Sequence, residues 1–490
     1  MKVSLGIDVA CRADHRASLA GPDGEFLWSG WRFRTSPLDL EALWSKIPAG
    51  AEVQVVMEPT RNAWVPLQAW LEARGAVVVL VPPEQSADLR NYYNKHTKTD
   101  RLDSRVLARL PLLHPEGLES VTGPTPADPF RRAVRRRTKL VKARTAVFQR
   151  LDALVELLGP AWADALGEGY SKSALVVLER WADPRALRRL GRRRLTDVLV
   201  KASRGAWREP KADELLAAAE ESLELWKDGG LDLDELAADI AAEVRVARSL
   251  SAEIATLEAR IAPMFAAADR RPETPDDREA TPPTREGDDE RDVGIVASLP
   301  GLDGILGAGI LARFGDFDRF HSLAGIRSFT GLVPSIDQSG NSSGHGRPTK
   351  AGDPGLREAL YLAADHLRRV DPHFAQRYHR LIVEEGKHHE SAVCTLAAVA
   401  ATRIAACWRR RECYVLRDTD GREITKTEGR AIVAERYTIP DDVRRARRRV
   451  ANAKHLKGRT DRRDQKSTRA APASGPSSAN RTGKTTERVA

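Results

Sequence analysis

Val3-Ser-Leu-Gly-Ile-Asp-Val9 is an apolar run broken by a single acid. It reads as a strand followed by a polar turn, with Asp8 inside the strand. Gly21-Pro-Asp-Gly24 separates two further strand-like runs that end near Phe33, so the chain opens as a three-stranded meander. A helix is expected over residues 36–46, with Ser36 as its cap and Pro37 in its first turn. Residues 52–57 form the fourth strand, and a helix over 64–74 is stopped by Gly75. Residues 76–81 are a wholly apolar fifth strand ended by Pro82-Pro83, and another helix follows over 103–110.

Four acids punctuate this segment. Asp8 lies in the first strand, Glu58 directly follows the fourth, and Asp100 and Asp103 stand three apart in KTDRLDSR. On a helix that spacing puts both carboxylates on one face. Two strand-end acids and such a pair can converge on Mg²⁺, because hard cations take oxygen ligands and can clamp the oxygens of a phosphoryl transfer. Taken singly, each acid reads more readily as a turn residue or a cap: Asp100 suits an N-cap and Asp103 a first-turn dipole partner. Taken together, the order has the layout of an RNase H-like α/β fold.

Outward from this start the composition changes. Residues 126–266 are expected to be helical. Leu250, Ile254, Leu257 and Ile261 follow a 4-3-4 spacing that suits a coiled coil, a helical hairpin or an ordinary bundle. Residues 267–292 hold ten acids, five Arg and four Pro, which marks an acidic linker. Residues 293–415 return to globular composition, and residues 416–490 form a basic tail expected to be disordered. The boundaries are thus 1–125, 126–266, 267–292, 293–415 and 416–490.

Other classes are disfavoured. No apolar run reaches the roughly 18–20 residues that span a bilayer, and residues 392–408 include Arg403 and read as a buried Ala-rich helix. Asp8 spoils a signal peptide. The cysteines form no CxxC pair, which points to reduced thiols and a cytoplasmic protein.

A second constellation lies in residues 298–357. Leu299-Pro-Gly-Leu-Asp-Gly304 and the apolar run behind it suit a helix-hairpin-helix, whose turn offers N–H groups to phosphate, although Asp303 would repel that phosphate. A plain helical hairpin fits equally. Residues 335–350 form a Ser/Gly loop with His345, Arg347 and Lys350. It reads either as a flexible loop or as the site of a serine nucleophile, which would need a base, a metal or cations.

The motifs GIDVA, VVMEPT, KTDRLDSRVLA, LPGLDG, FTGLVPS and QSGNSSGHGRPTKAGDPGLREAL, in that order, resemble the DEDD insertion-sequence transposases and recombinases. This is the "IS-one-ten" family, related to the Piv-type DNA invertases. The likeness covers roughly residues 1–115 and 293–410. It implies a RuvC-like DEDD domain, a coiled-coil connector and a mostly helical transposase domain. It places the DEDD acids at Asp8, Glu58, Asp100 and Asp103, with Mg²⁺ as cofactor. It places the nucleophilic serine at Ser339, with Ser342 and Ser343 as fallbacks, and implies DNA recombination through a phosphoserine. In the guided branch of the family a structured bridge RNA pairs with DNA, and the subunits act as a dimer or tetramer. DNA, such an RNA and further copies of the chain are therefore the implied partners. The long middle, the acidic linker and the basic tail depart from the family's compact pattern.

Charge supports nucleic-acid contact once its distribution is read. The chain carries a net +10, and residues 441–490 alone, with 15 Lys/Arg against 5 Asp/Glu, account for all of it. Residues 131–150 hold nine basic residues and no acid. Arg131, Arg132, Arg135, Arg136, Arg137, Lys139 and Lys142 there, with Arg347 and Lys350, are the expected phosphate contacts. A solvated helix face is the plainer alternative. Two other functions use the same residues: a hydrolytic RuvC-like nuclease or junction resolvase, and a non-catalytic nucleic-acid-binding protein.

Overall fold

The computed structural model describes residues 1–82, 99–113, 125–167, 169–263, 293–315, 317, 319–339 and 342–447, with only the backbone described over 334–347. The acidic linker and residues 448–490 lie outside the described residues. The chain divides into two compact units. One comprises Met1–Ala359 and Ala401–Tyr414, the other Leu360–Ala400 and the chain from Val415 onward.

The first unit begins with a five-stranded sheet of order β3-β2-β1-β4-β5. Its strands are β1 (Lys2–Asp8), β2 (His15–Ala20), β3 (Phe26–Phe33), β4 (Glu52–Met57) and β5 (Val77–Leu80). β1–β2 and β2–β3 are antiparallel, whereas β1–β4 and β4–β5 are parallel. Helices α1 (Pro37–Trp44) and α2 (Trp64–Glu72) supply the crossovers. Ser36 caps α1 by accepting from the Asp39 N–H, with Pro37 behind it, as expected.

Strand alternation sorts the side chains between two faces. Val3, Leu5, Ile7 and Val9 join Val53, Val55 and Met57 in one core with Leu40, Leu43, Leu67 and Leu71 of the crossover helices. The opposite face packs Val56, Val79 and Val81 against Leu107 and Leu110 of α3 (Asp100–Leu113). This is a mixed α/β sheet with its five strands at the expected places along the chain, and α3 is three residues longer at each end than the spacing indicated.

Two long helices follow, α4 (Pro129–Glu156) and α10 (Leu233–Ile261). They run antiparallel, since Arg137 pairs with Glu258, Arg136 with Glu253 and Arg150 with Glu243. Between them α5 (Pro160–Leu166), α6 (Lys172–Trp181), α7 (Pro184–Leu190), α8 (Arg192–Ser203) and α9 (Glu209–Leu225) close a separate core around Trp162. Trp162 Nε1 donates to Ser222 Oγ at 2.8 Å, which satisfies the buried indole. The expected seam needs one correction. Ile254, Leu257 and Ile261 are buried, but Leu250 is only half-buried and Ala247 takes the next inward position. A small residue there lets the helices approach, which a count of large apolar residues misses.

Residues 293–298 are helical and turn through Pro300-Gly301 into α11 (Ile305–Phe314). Val293, Ala308 and Ala312 pack on Ala133, Val134, Leu257 and Ile261, so the base of the long helix pair and this segment share one core. Phe314, Phe317 and Trp408 stack behind it, with ring centroids 4.5 and 4.2 Å apart. After α12 (Leu323–Thr330) come β6 (Pro334–Ser339) and β7 (Ser342–Pro348), a two-stranded antiparallel hairpin, and then α13 (Pro354–Leu367), whose last turns belong to the second unit.

The second unit contains α14 (Pro372–Val383), much of α15 (His389–Arg410) and α16 (Lys426–Arg436). α15 is long and apolar enough to cross a membrane by composition alone. However, Ala392, Leu396, Ala400, Ile404 and Trp408 are fully covered by protein, as the Ala-rich reading anticipated. The expected disorder from residue 416 is overturned as far as residue 447. Thr425 and Glu428 form a reciprocal capping box on α16, Asp418 pairs with Arg436 at 3.2 Å, and Ile432 and Ile439 are buried. Residues 416–440 hold five Lys/Arg against five Asp/Glu, so the basic character of 441–490 does not extend to them, and the cap signature is present in the sequence.

Candidate active site

The sheet places two of the four acids, Asp8 and Glu58, at the C-terminal ends of neighbouring inner strands. β1 and β4 are parallel with Ile7 opposite Met57, so Asp8 and Glu58 stand next to each other at the same strand ends. Neighbouring strands lie about 4.8 Å apart. Because alternation is strict along β1, Ser4, Gly6 and Asp8 share the face covered by α3.

α3 reaches that face through Gly6. A Cβ on Gly6 would lie 2.2 Å from both Ser104 O and Ala108 N, so only glycine permits this approach. A chain of hydrogen bonds orients the helix start. Gly30 N–H donates to Ser18 Oγ at 3.1 Å, and Ser104 Oγ donates to Arg101 O at 3.0 Å. Ser104 has one proton, so in the 2.8 Å Ser18–Ser104 bond Ser18 is the donor. Asp103, half-buried, precedes Ser104, and Asp100 opens the helix exposed.

The donor set is all oxygen and suits Mg²⁺ in kind. Among the described residues no three potential ligands close into a metal-holding group. Among the described residues, then, Asp8, Glu58, Asp100 and Asp103 are not gathered into one metal-binding cluster.

His15 fixes the loop that follows Asp8. It is buried, its Nδ1 accepts from Ala10 N–H at 3.0 Å, and its Nε2 lies 2.8 Å from Thr35 Oγ1. Nδ1 is therefore unprotonated and Nε2 carries the proton donated to Thr35. Burial holds this imidazole below its ordinary pKa, with Asp14 pulling weakly the other way. A folded pKa below the unfolded value makes the contribution full above about pH 6.5 and lost as pH falls through the folded pKa. The melting temperature is expected to fall as pH drops below about 6.5, and His15→Gln to flatten that part of the slope. A slope unchanged in the variant would show that another group titrates.

The expected phosphate contacts on α4 are mostly engaged within the protein. Arg135 pairs with Asp353 at 3.3 Å, Arg136 with Glu253 at 2.6 Å, Arg137 with Glu258 at 2.6 Å and Lys142 with Glu358 at 3.2 Å. Arg132 Nη1 donates to Pro126 O at 3.2 Å, and Lys139 is exposed. Arg131 is half-buried, and burial beside Arg135 pushes its pKa down to about 10. The acids that answer this run come from α10 and from residues 353–358, more than a hundred positions away, so the local sequence could not show them. The more exposed pairs, Arg136–Glu253 and Lys142–Glu358, contribute only about 0–1 kcal/mol each and exchange readily for a phosphate.

Ser339 ends β6, opposite Ser342 at the start of β7, so backbone register puts both at the tip of the hairpin. The side chains of Ser339, Ser342, Ser343, His345 and Arg347 lie outside the described residues. Lys350 is described: it is exposed, has φ +56° and closes the hairpin base through its N–H to Gly331 O at 3.0 Å. The packing there is tight, since a Cβ on Gly331 would lie 2.2 Å from Ala351 O.

Comparison with known proteins gives matches over two stretches of the chain. Residues 5–160 match a DEDD family of the IS110 group described as Transposase, and residues 293–379 match the Transposase IS116/IS110/IS902 family. The chain is 27% identical over 432 residues to the insertion element IS110 uncharacterized 43.6 kDa protein of Streptomyces coelicolor, across 86% of this chain and 98% of that protein. It is also 27% identical to the insertion element IS116 uncharacterized 44.8 kDa protein of Streptomyces clavuligerus, across 81% and 92%. The same identity relates it to the insertion element IS900 uncharacterized 42 kDa protein of Mycobacterium paratuberculosis, again across 81% and 92%.

Proposed function

The chain belongs to the IS110-type DEDD transposase family, and on that premise we propose that it recombines DNA at insertion-sequence ends through a phosphoserine. The observation that carries the reading is the neighbouring strand ends of Asp8 and Glu58, with the Asp100/Asp103 helix start held on the same face through Gly6.

In the proposed reaction Ser339 Oγ forms a bond to a DNA phosphorus, and the bond from that phosphorus to one deoxyribose oxygen breaks. That oxygen leaves as a hydroxyl, taking up a proton as the serine gives up its own. A second DNA hydroxyl then attacks the phosphoserine and releases Ser339, so one ester is exchanged for another and no external energy source is needed. Asp8, Glu58, Asp100 and Asp103 would hold Mg²⁺, which supplies charge neutralisation at the phosphate. Arg131, Arg132, Arg135, Arg136, Arg137, Lys139, Lys142, Arg347 and Lys350 are assigned to phosphate contacts with DNA or with a structured bridge RNA. Family resemblance supports the RNA and assembly as a homo-oligomer.

Incubation with element-end DNA and Mg²⁺ is expected to give a protein–DNA adduct that survives denaturation. Ser339→Ala and Asp8→Asn should each remove it, a loss of at least about 1,000-fold for a nucleophile or its electrostatic support. An adduct that persists in Ser339→Ala moves the nucleophile elsewhere. Metal-dependent cleavage without any adduct, undiminished when all three loop serines are lost, would replace this reading with a hydrolytic nuclease.

A further inference from the structure

The outer edge of the sheet combines aromatic and cationic side chains that the acid-bearing strand ends do not use. Trp28, Trp31 and Arg32 of β3, Arg16 of β2 and Lys46 beyond α1 line a groove of about 500 Å³. Register fixes its level. Arg32 pairs with Arg16 and Arg16 with Asp8, so these three share a rung, and Trp31 lies one rung back, opposite Ala17. Two inter-strand steps separate β3 from β1, roughly 10 Å.

The local geometry favours recognition by side chains over the addition of another strand. Pairing passes from Trp31 opposite Ala17 to Ser29 opposite Ser18, so Gly30, at φ +75°, is the extra residue of a bulge. A bulge twists an edge away from further strand pairing and re-aims its side chains. Trp31 is 37% exposed, and Lys46 Nζ sits 3.8 Å from its ring centroid. Arg16 Nη1 donates to Gly30 O at 3.1 Å, and Trp28 Nε1 donates to Lys46 O at 3.2 Å, which steadies the groove wall.

The groove is mostly cationic, with Asp8 across the strands from Arg16 at its inner end. Asp14, whose carboxylate is lowered first by Arg34 and also feels Arg32 and Arg16, is already paired to Arg34 at 2.8 Å. Among the described residues, Arg16, Arg32 and Lys46 pair with no carboxylate. Trp31 and Lys46 lie on the crossover-helix face and Arg16 and Arg32 on the α3 face, so the groove wraps around the β3 edge with cations on both sides, which suits a polyanion that also offers flat faces. A duplex hides those faces, so the bases must be unpaired.

We propose that this groove binds an unpaired stretch of DNA. Trp31 stacks on a base, while Arg16, Arg32 and Lys46 meet the flanking phosphates, so the strand is led along the Asp8 rung toward the acid-bearing strand ends. That the polyanion is DNA rests on the transposase reading; that it is single-stranded rests on the groove.

The test uses the full chain with a short oligo-dT carrying 5-iododeoxyuridine, which cross-links to a stacked aromatic ring, and with plain oligo-dT and oligo-rU for affinity. The cross-link is expected in the peptide that carries residues 26–33. Trp31→Ala should remove it and weaken oligo-dT binding by roughly 5- to 100-fold, the range of one stacking contact. Trp31→Phe should recover most of both, which separates stacking from misfolding. Arg32→Gln should lower the slope of log affinity against log salt by about 0.7. Cross-links confined to other peptides, with Trp31→Ala binding as the parent does, overturn the proposal. Loss in Trp31→Ala that appears with oligo-rU and not oligo-dT overturns the assignment to DNA. The readout is binding alone, so failure of the recombinase reading shows as a missing adduct with an intact cross-link, and failure of the groove shows as the reverse.

Discussion

Gly6→Ala is expected to abolish adduct formation and to destabilise the sheet domain by about 1–3 kcal/mol, the ordinary cost of overpacking. The new methyl would meet Ser104 O and Ala108 N at 2.2 Å, and both are backbone atoms of α3 that no side-chain rotation can clear. Either the strand or the helix must move. Leu107 and Leu110 pack on Val56, Val79 and Val81, so the helix cannot rise without loosening that core. Its first turn would move with it, and the Ser18–Ser104 bond, buried at 2.8 Å, would break. Asp100 and Asp103 ride on that turn. A shift of about 1 Å at reacting groups costs on the order of 100-fold in rate, and here it would come on top of lost stability. A thermal melt and the adduct assay read the two effects separately. Ser104→Ala is the milder companion: it should keep the fold and lose part of the activity, because it removes the hydroxyl without adding bulk. If Gly6→Ala melts and reacts as the parent does, close packing of α3 is not what places the acid pair.

These contrasts show which features a single sequence carries. The strands and helices of residues 1–113 were legible because each has its own punctuation: Gly21-Pro-Asp-Gly24, Ser36-Pro37, Gly75 and Pro82-Pro83. That Asp8 and Glu58 stand at strand ends was legible too, whereas the parallel pairing that aligns the two ends came only from the register. Gly6 gave no signal, because a glycine inside an apolar strand looks like weak strand propensity until the helix above it is known. The acids facing α4 were also hidden. Residues 131–150 contain none, and Glu253, Glu258, Asp353 and Glu358 become neighbours only through tertiary packing. The ordered stretch after residue 415 was missed for the opposite reason. Its local signal, Thr425 followed by Glu428, is present, and the charge-balanced residues 416–440 differ from the basic residues 441–490 with which they were grouped.

Asp353→Ala is expected to destabilise the first unit by about 3–5 kcal/mol, the cost of leaving a buried charge without its partner. The Arg313 side chain is only 5% exposed, with its Nε 3.6 Å from Asp353 Oδ1. Its Nη1 donates to Gly309 O at 2.8 Å and its Nη2 to Thr138 Oγ1 of α4 at 3.0 Å. Asp353 also accepts from Gly355 N–H at 2.7 Å at the start of α13 and pairs with Arg135 of α4. One carboxylate thus ties the hairpin side of the molecule to the basic helix. Burial pushes its carboxyl up, but the Gly355 N–H, Arg313 and Arg135 outweigh that and hold it below the usual range. Its contribution is therefore full above the unfolded value near pH 4 and lost as pH falls through the lower folded pKa. Asp353→Asn keeps an acceptor for Gly355 and removes only the charge, so it should cost less than Asp353→Ala and lose the acid-sensitive part of the melt. Arg313→Met combined with Asp353→Asn should cost less than the sum of the two single changes, because each single change strands a charge that the pair removes together. Strict additivity in that cycle would mean that Arg313 and Asp353 do not stabilise the helix junction as a pair.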